Sequence, residues 1–327
     1  MKTATWWPPT FHKCRDMANI PPRPLGANFY GVFLHPSSWG TWDFDADWKA
    51  QIDACKSVGA NFVVFWGSVF DAQADLPLYL SRRRQLVEYI GSQGMYCLTY
   101  ASYGPNDWGG ITISQAITIW ESDAALLSKY PHVVGYVPID EPFLSAWSDA
   151  TVVTNCANAY AAIRAVVPAN FPVCAAPIGR AGDVFAYTGS AKTELDSVAA
   201  YCDFFAYHPF ATVSGSQLDA VRAAYSGKQI MLPSTVAIDY PNAAIATVLA
   251  SCMDIVGTND VRGMGYWLAY DFNANTWGMF TVSSGVFSER ASTTAAFRDN
   301  LPTFPARQHR RYPGKPRLSH LQSWGYK

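Results

Sequence analysis

The sequence predicts an α/β fold of the (β/α)8 type, a TIM barrel with extended proline-rich arms at its N- and C-termini. Eight short apolar runs, rich in β-branched and aromatic residues, alternate with longer segments of helical period. The runs recur about every 30 residues, which is the length that one strand and its crossover helix need. Because each run is apolar throughout, we expect strands that are covered on both faces, and eight of them favour closure into a barrel.

The strands are predicted, in chain order, at NFYGVFLH, NFVVFW, MYCLTYASYG, HVVGYVPIDE, FPVCAAPIG, CDFFAYHPF, QIMLPSTVA and VRGMGYWLAYDF. Capping and stop residues delimit the helices between them: DADWKAQIDACKSVGA begins at Asp45 or Asp47 and ends at Gly59, and LYLSRRRQLVEYIGSQG ends at Gly94. Within the latter helix, the run SRRRQ is interpreted as a solvated face. An open, doubly wound sheet is the alternative fold, but no glycine-rich nucleotide-binding motif follows any predicted strand.

Three parts of the chain are distinguished by composition: an N-terminal arm over 1–27, the barrel over 28–300 and a basic C-terminal arm over 301–327. The arms contain motifs such as WWPP and PPRP, and the C-terminal arm carries six cationic side chains and no acidic one after residue 301. Such segments order only against a surface. We therefore expect the arms to pack on the barrel or on neighbouring copies, in a homo-oligomer or a larger assembly.

The composition also excludes several classes of partner. The formal net charge of -1 argues against nucleic acid, and no apolar stretch is long enough to predict a membrane span. The seven cysteines are widely spaced and mostly lie in apolar runs, which is typical of buried free thiols rather than of disulfides or a metal site. No metal or cofactor is predicted. Without a recognisable signal peptide, the chain is expected to be made in the cytoplasm, with incorporation in a virion or release by lysis as routes outward.

In a closed barrel the working side chains lie at the C-terminal ends of the strands. The residues predicted there are His35, Trp66, Tyr103, Asp140, Glu141, Tyr207, His208, Trp267 and Asp271. Aromatic rings, histidines and carboxylates that converge on one rim would form a cleft of the size and polarity that a sugar needs. Glycoside hydrolysis uses this mixture, because one carboxylic acid protonates the leaving oxygen while a second carboxylate attacks or activates water. The predicted partner is therefore a carbohydrate.

Glu141 is the predicted general acid. An apolar strand brings it to the barrel mouth, and apolar surroundings are expected to raise its pKa. At these residues the chain resembles the clan of (β/α)8 retaining glycoside hydrolases whose acid/base lies in an Asn-Glu-Pro motif at the end of strand 4, since it reads Asp140-Glu141-Pro142 there. The resemblance implies that Tyr207 and His208 line the reacting subsite and that Trp267 forms its floor. The alternative interpretation of the motif is a solvated carboxylate pair before a turn.

Two departures from the clan leave the mechanism open. The clan's strand-7 glutamate is replaced by Ser234 and Thr235, and the asparagine before the acid is Asp140. Asp239 or Asp271 could supply the second carboxylate, and a separation of roughly 6.5–9.5 Å from Glu141 would then imply inversion of configuration. Alternatively, Asp140 and Glu141 form a substrate-assisted pair. In a third alternative catalysis is lost, and the barrel is a glycan-binding or structural subunit of a larger particle such as a phage virion.

Overall fold

The computed structural model describes residues 28–35, 39–102, 108–144, 147–176, 189–209, 212–235, 242–258, 261–270, 278–283 and 286–302. Ten strands lie in these ranges: β1 (Phe29–Phe33), β2 (Phe62–Trp66), β3 (Tyr96–Tyr100), β4 (Val133–Val137), β5 (Cys174–Ala175), β6 (Phe204–Ala206), β7 (Gln229–Thr235), β8 (Val261–Trp267), β9 (Phe280–Ser283) and β10 (Val286–Glu289). The first eight coincide with the eight predicted runs. The N-terminal arm, the C-terminal arm from residue 303 onward, Tyr103, Asp239 and Asp271 lie outside the described residues.

Nine α-helices accompany the strands: α1 (Ala50–Ser57), α2 (Val69–Ala74), α3 (Leu76–Ser92), α4 (Ile113–Leu127), α5 (Asp149–Val166), α6 (Gly189–Val198), α7 (Asp219–Ala224), α8 (Asn242–Asp254) and α9 (Ala291–Asp299), counted over the described ranges. One turn of π-helix, Phe44–Lys49, precedes α1, and the Asp43 side chain caps it, two residues before the predicted start. Gly59 and Gly94 follow α1 and α3 with φ of 92° and 71°, a backbone conformation that favours glycine and ends both helices as predicted. Among these helices, none is long and apolar enough to cross a membrane.

Strands β1 to β8 form one parallel sheet in the order β4-β3-β2-β1-β8-β7-β6-β5. The two ends of this order meet, because single parallel bridges join Tyr136 to Val173 and Asp140 to Ala176. The predicted barrel fold is therefore confirmed. The β4–β5 seam is its least extensive strand pairing, since β5 is only two residues long.

Along each strand, successive side chains point alternately into the barrel and outward towards the helices. The interior holds a cluster that includes Phe33, Phe62, Leu98 and Phe204. Gly135 makes room for it, since a Cβ at that position would lie 2.4 Å from the Phe204 ring. At the C-terminal ends of the strands, the inward-facing side chains lie at the barrel mouth. The pleat of each strand therefore decides which side chains can meet there.

The outer layer, between the sheet and the helices, contains a buried ion pair that the sequence interpretation missed. Arg83 of α3 is 0% exposed, so the prediction that the SRRRQ run is a solvated face is wrong at its central residue. Arg83 Nε donates to Asp123 Oδ1 (2.9 Å), and its Nη2 donates to Asp123 Oδ2 (2.7 Å) and to Thr99 Oγ1 (2.6 Å). The Arg83 guanidinium also lies 5.0 Å from the centre of the Phe65 ring. Charge pairing and aromatic contact together allow this side chain to be buried.

Two features lie outside the predicted elements. The short helix α2 follows β2 directly, and β9 pairs with β10 as an antiparallel hairpin between β8 and α9. The cysteines among the described residues, Cys55, Cys97, Cys156, Cys174, Cys202 and Cys252, are all buried free thiols, as predicted.

Candidate functional site

Three titratable side chains, Asp140, Glu141 and His208, meet at the C-terminal end of the barrel, and we refer to them as the carboxylate–histidine cluster. The first two follow β4, and His208 follows β6 on an inward-facing position two residues after Ala206. Their ligand-type atoms lie within 4.8 Å of one another. Asp140 is 0% exposed, His208 is 1% exposed and Glu141 is 7% exposed, so Glu141 is the member of the cluster most open to a bound molecule.

Hydrogen bonds fix the orientation of the cluster. His208 Nδ1 lies 3.0 Å from Glu141 Oε1, and its Nε2 lies 2.8 Å from the Tyr100 hydroxyl. Trp66 Nε1 donates to Asp140 Oδ2 (2.8 Å), while Asp140 Oδ1 lies 3.7 Å from His208 Nε2 and has no hydrogen-bond partner among the described residues. Each side chain of the cluster thus has at least one hydrogen-bonded neighbour, which restricts its rotamers.

The backbone of Glu141 adopts an unusual conformation. Its φ of 45° lies in the left-handed region, and it is the only non-glycine residue of the described chain with such a φ. A residue that precedes proline is restricted to extended conformations, so the position before Pro142 makes this φ still less favourable. Pro142 begins a single 3-10 turn, Pro142–Leu144, which carries the chain away from the strand. Strained positions of this kind cluster at functional sites, where the surrounding structure holds them in place.

Burial and neighbouring charges set the protonation of the cluster. Burial, and then the nearby negative charge of Glu141, raise the pKa of Asp140 to about 7, although His208 and the Trp66 hydrogen bond act in the opposite direction. Burial alone would lower the pKa of His208, but the charges of Asp140 and Glu141, together with the hydrogen bond that the imidazolium donates to Glu141, outweigh it and raise that pKa. Near neutral pH the cluster therefore retains protons that isolated side chains would release, and it can give one to a bound molecule.

The spacing of the cluster also allows a cation to be considered. Two carboxylates and an imidazole are ligands that divalent metals use. Both nitrogens of His208, however, are already within hydrogen-bond distance of Tyr100 and Glu141. A cation bound by the imidazole would therefore have to displace one of these contacts.

Aromatic rings form the wall around the cluster. Trp66 and Trp267 occupy the final, inward-facing positions of β2 and β8, are both partly exposed, and meet edge to face at 5.1 Å between ring centres. Both rings rest on the buried Phe33, at 4.8 Å and 4.7 Å. The Trp267–Leu268 peptide bond is cis. These two indoles therefore form one aromatic wall of the mouth, beside the Asp140 carboxylate to which Trp66 donates.

Other predicted site residues lie elsewhere. Tyr207 has the opposite pleat to His208, is fully buried and packs in the outer core rather than towards the cluster. His35 stacks on Tyr270 at 4.1 Å between ring centres, and burial lowers its pKa to about 4. At the end of β7, Thr235 is buried, and its hydroxyl donates to the Gly265 carbonyl (2.9 Å). Tyr100 lies within the third predicted strand run, MYCLTYASYG, but its contact with His208 was not predicted.

Glu194 on α6 is another buried carboxyl that sequence reasoning missed. It is 0% exposed, and neither carboxylate oxygen has a hydrogen-bond partner within the described ranges. Burial, followed by the negative charge of Asp140, raises the pKa of Glu194 to about 8. A charge on Glu194 would also act on the thiols of Cys156 and Cys202, which lie near it. The folded chain therefore favours the neutral carboxylic acid at this position.

Glu194→Gln is expected to stabilise the protein at alkaline pH. The folded pKa of Glu194, about 8, exceeds the ordinary value of 4.5, so between these pH values the folded state binds more protons than the unfolded state. The free energy of unfolding of the wild type should therefore fall as pH rises through this window. At pH 9 the variant, which cannot ionise, should be more stable by on the order of 5 kcal/mol. Urea unfolding from pH 4 to 9 measures this difference.

Glu121→Gln, on the outer helix α4, is the matched control for this series. Its free energy of unfolding should follow that of the wild type at every pH. If the Glu194→Gln curve also ran parallel to the wild type from pH 4 to 9, the assignment of a neutral, buried Glu194 would be incorrect.

The chain was compared with known proteins. No family model matches it, and no curated protein matches its sequence. Among solved structures, the catalytic domain of Thermobifida fusca endoglucanase Cel5A in complex with cellotetraose is 16% identical, with a TM-score of 0.63 over 84% of this chain and 92% of that one. GH5_18 from Streptomyces cattleya in complex with GlcNAc is 15% identical, with a TM-score of 0.65 over 84% of this chain and 79% of that one.

A third similar structure is the exo-β-1,4-mannosidase Op5Man5 from Opitutaceae bacterium strain TAV5. It is 16% identical, with a TM-score of 0.59 over 88% of this chain and 64% of that one. At these identities the likeness establishes a shared barrel fold. The structural neighbours named here are glycoside hydrolases that differ in the sugars they act on or bind.

Proposed function

We propose that this protein is a glycoside hydrolase that acts on an oligo- or polysaccharide and uses Glu141 as its proton donor. The observation that carries the proposal is the conformation of Glu141: a left-handed, pre-proline carboxylate, held by His208 at the mouth of the barrel. Fold likeness to glycoside hydrolases supports it, although fold alone does not determine function. In the proposed reaction Glu141 protonates the leaving oxygen, the bond from that oxygen to the anomeric carbon breaks, and water adds to that carbon.

The neighbours of Glu141 have supporting roles in this proposal. His208 holds the Glu141 carboxyl in place and returns a proton to it between turnovers, because it shares a hydrogen bond with that carboxyl and retains a proton near neutral pH. Asp140 is fully buried, so it acts on Glu141 and His208 through its charge rather than by contact with the sugar. Trp66 and Trp267 are proposed to pack against the sugar ring in the reacting subsite.

The proposed reaction also needs a second carboxylate, which attacks the anomeric carbon or activates water. Thr235 stands at the end of β7, and its hydroxyl is engaged by a backbone carbonyl. We propose Asp239 or Asp271 for this role, since both follow strands whose C-terminal ends open at the mouth. Substrate-assisted attack, with Asp140 beside Glu141, is the alternative chemistry. Proton NMR of the first product anomer separates inversion from retention, and only inversion is expected for a carboxylate that activates water at a separation of roughly 6.5–9.5 Å from the acid.

The proposal is tested by incubating the full chain with cellohexaose, mannohexaose and chitohexaose and following the products by mass spectrometry. Release of shorter oligosaccharides from at least one of these substrates is expected. Hydrolysis that Glu141→Gln leaves unchanged would contradict the role of Glu141. Binding of an oligosaccharide without any cleavage would contradict hydrolysis itself.

Trp66→Phe is expected to shift the pH dependence of hydrolysis towards higher pH. The substitution removes the indole N–H that donates to Asp140, and this hydrogen bond opposes the rise of the Asp140 pKa. Because a hydrogen bond to a charged group contributes about 1.5–3 kcal/mol, the pKa of Asp140 should rise further by about one to two units. The measurement is kcat/KM against pH on the best substrate of the panel.

Trp267→Phe is the control for this experiment. It trims a neighbouring indole that packs against the Trp66 ring, so it should weaken substrate binding without moving the pH profile. Equal shifts in the two variants would show that the Trp66–Asp140 hydrogen bond does not set the protonation of the cluster.

A further inference from the structure

A groove lies on the outer wall of the barrel, away from the carboxylate–histidine cluster. It has a volume of about 370 Å³ and is lined by Phe44, Ser81, Arg84, Gln85, Glu88 and Tyr89, and we refer to it as the α3 groove. Phe44 comes from the π-helical turn before α1, and the other residues lie on α3. The groove is shallow and open to solvent, so a ligand would lie along its surface.

The aromatic walls of the α3 groove are held in place by their neighbours. Phe44 meets the Tyr89 ring at right angles, with 5.6 Å between ring centres, and its other neighbour is the Trp42 ring at 6.1 Å. The Tyr89 hydroxyl donates to Asp53 Oδ1 (2.5 Å), and the Lys49 ammonium lies 5.8 Å from the centre of the Tyr89 ring. A ligand would therefore meet preformed ring surfaces and would not have to order them on binding.

The local backbone also distinguishes this place. Phe44 opens a single turn of π-helix, Phe44–Lys49. Isolated π-helical turns are rare and are frequently found at functional sites. From this turn Phe44 reaches the edge of α3, where it contacts Tyr89.

The polar lining indicates the chemistry of the ligand. Arg84 and Glu88 are four residues apart on α3 and carry opposite charges, so the α3 groove has no net charge to attract an anion or a cation. Gln85 and Ser81 add an amide and a hydroxyl, which both donate and accept hydrogen bonds. Apolar ring surfaces beside paired donors and acceptors match a neutral, hydroxyl-rich ligand with an apolar face, and a pyranose ring has these properties.

A row of aromatic side chains joins the α3 groove to the barrel mouth. Trp39 Nε1 donates to the Trp66 carbonyl (3.2 Å), and the Trp39 ring stacks on Trp42 at 5.1 Å between centres. Trp42 in turn contacts Phe44. The loop after β1 therefore connects the two places through packed rings.

We propose that the α3 groove is a second carbohydrate-binding site, which holds a neutral stretch of glycan on the outside of the barrel while another stretch occupies the mouth. The identity of the glycan rests on the proposed function; the presence of the site rests on the groove itself. Binding at two places on one polymer raises the local concentration of the chain at the mouth.

The experiment measures glycan binding and catalysis separately. Cellohexaose, mannohexaose and chitohexaose are titrated calorimetrically into Phe44→Ala and Gln85→Ala, each built on Glu141→Gln so that no substrate is consumed. Loss of an aromatic anchor should weaken binding at the outer site about 10-fold or more, and loss of the exposed Gln85 should weaken it without a risk to folding. With the natural Glu141 restored, both variants should hydrolyse a short aryl glycoside at the wild-type rate.

Val166→Ala is the matched control, because Val166 is an exposed apolar residue (40%) at the end of α5, a helix that α4 separates from α3. It should bind each glycan like the parent protein. The proposal is overturned if both groove variants bind like the parent, or if only a single glycan site is titrated in the parent. Weakened binding in the groove variants of a chain that hydrolyses nothing would uphold the α3 groove and refute the proposed hydrolase.

Discussion

Glu141→Gln is expected to lower kcat/KM for glycoside hydrolysis by about 100- to 10,000-fold, the contribution that a positioned general acid makes. The amide keeps the size of the carboxyl and can still bond His208, which lies 3.0 Å away, so the fold should be unaffected. What it cannot do is release a proton to the leaving oxygen. Substrates whose leaving groups need no protonation, such as dinitrophenyl glycosides, should be affected much less than natural oligosaccharides.

This contrast between leaving groups separates the loss of an acid from general damage to the site. Glu121→Gln on α4 serves as the control and should retain the wild-type rate on both classes of substrate. Equal losses of Glu141→Gln on activated and natural substrates would assign Glu141 a role in binding or positioning rather than in proton transfer.

Asp123→Ala is expected to have the largest effect on stability, a loss of about 3–5 kcal/mol in the free energy of unfolding. The side chains of Arg83 and Asp123 are 0% and 1% exposed, and they form a bidentate pair between α3 and α4. Removal of Asp123 leaves the Arg83 guanidinium buried without its counter-charge. Urea unfolding followed by circular dichroism measures the loss.

The double variant Arg83→Met, Asp123→Leu tests the cause of this loss. It removes both charges and refills the space with apolar atoms, so it should be markedly more stable than Asp123→Ala. Glu289→Ala, which breaks the exposed pair with Arg298, should cost at most about 1 kcal/mol. A double variant as unstable as Asp123→Ala would show that packing, and not the unpaired charge, dominates.

The strands of this fold could be predicted because their signal is local. Each is a short β-branched or aromatic run between helical segments, and residues such as Gly59 and Gly94 end the helices by their own backbone preference. Arg83 could not be predicted in the same way. Its position falls on the apolar stripe of α3, between Tyr79 and Leu86, but only the approach of Asp123 from α4, 40 residues further along the chain, makes burial of the charge tolerable.

The candidate site was predictable to the extent that strand ends identify it. Asp140, Glu141, Trp66, His208 and Trp267 all lie at the mouth, as the strand pattern indicates. Which of them touch depends on pleat and on spacing between strands. Side chains alternate along a strand, so Tyr207, which lies between the inward-facing Ala206 and His208, faces outward, and the sequence alone indicates this. The contact of His208 with Tyr100, in contrast, joins residues 108 positions apart and has no counterpart in the sequence.

The carboxylate–histidine cluster also links the two sides of the weak β4–β5 seam. Asp140 and Glu141 follow β4 and Tyr100 ends β3, on one side of the seam, whereas His208 follows β6 on the other side. The contacts of His208 with Glu141 and Tyr100 therefore help to hold the barrel closed at this seam, where two single bridges join β4 to the β5 side within the described part of the chain. Substitution of Glu141, His208 or Tyr100 is therefore expected to loosen the closure of the barrel as well as to change the proposed chemistry of the site.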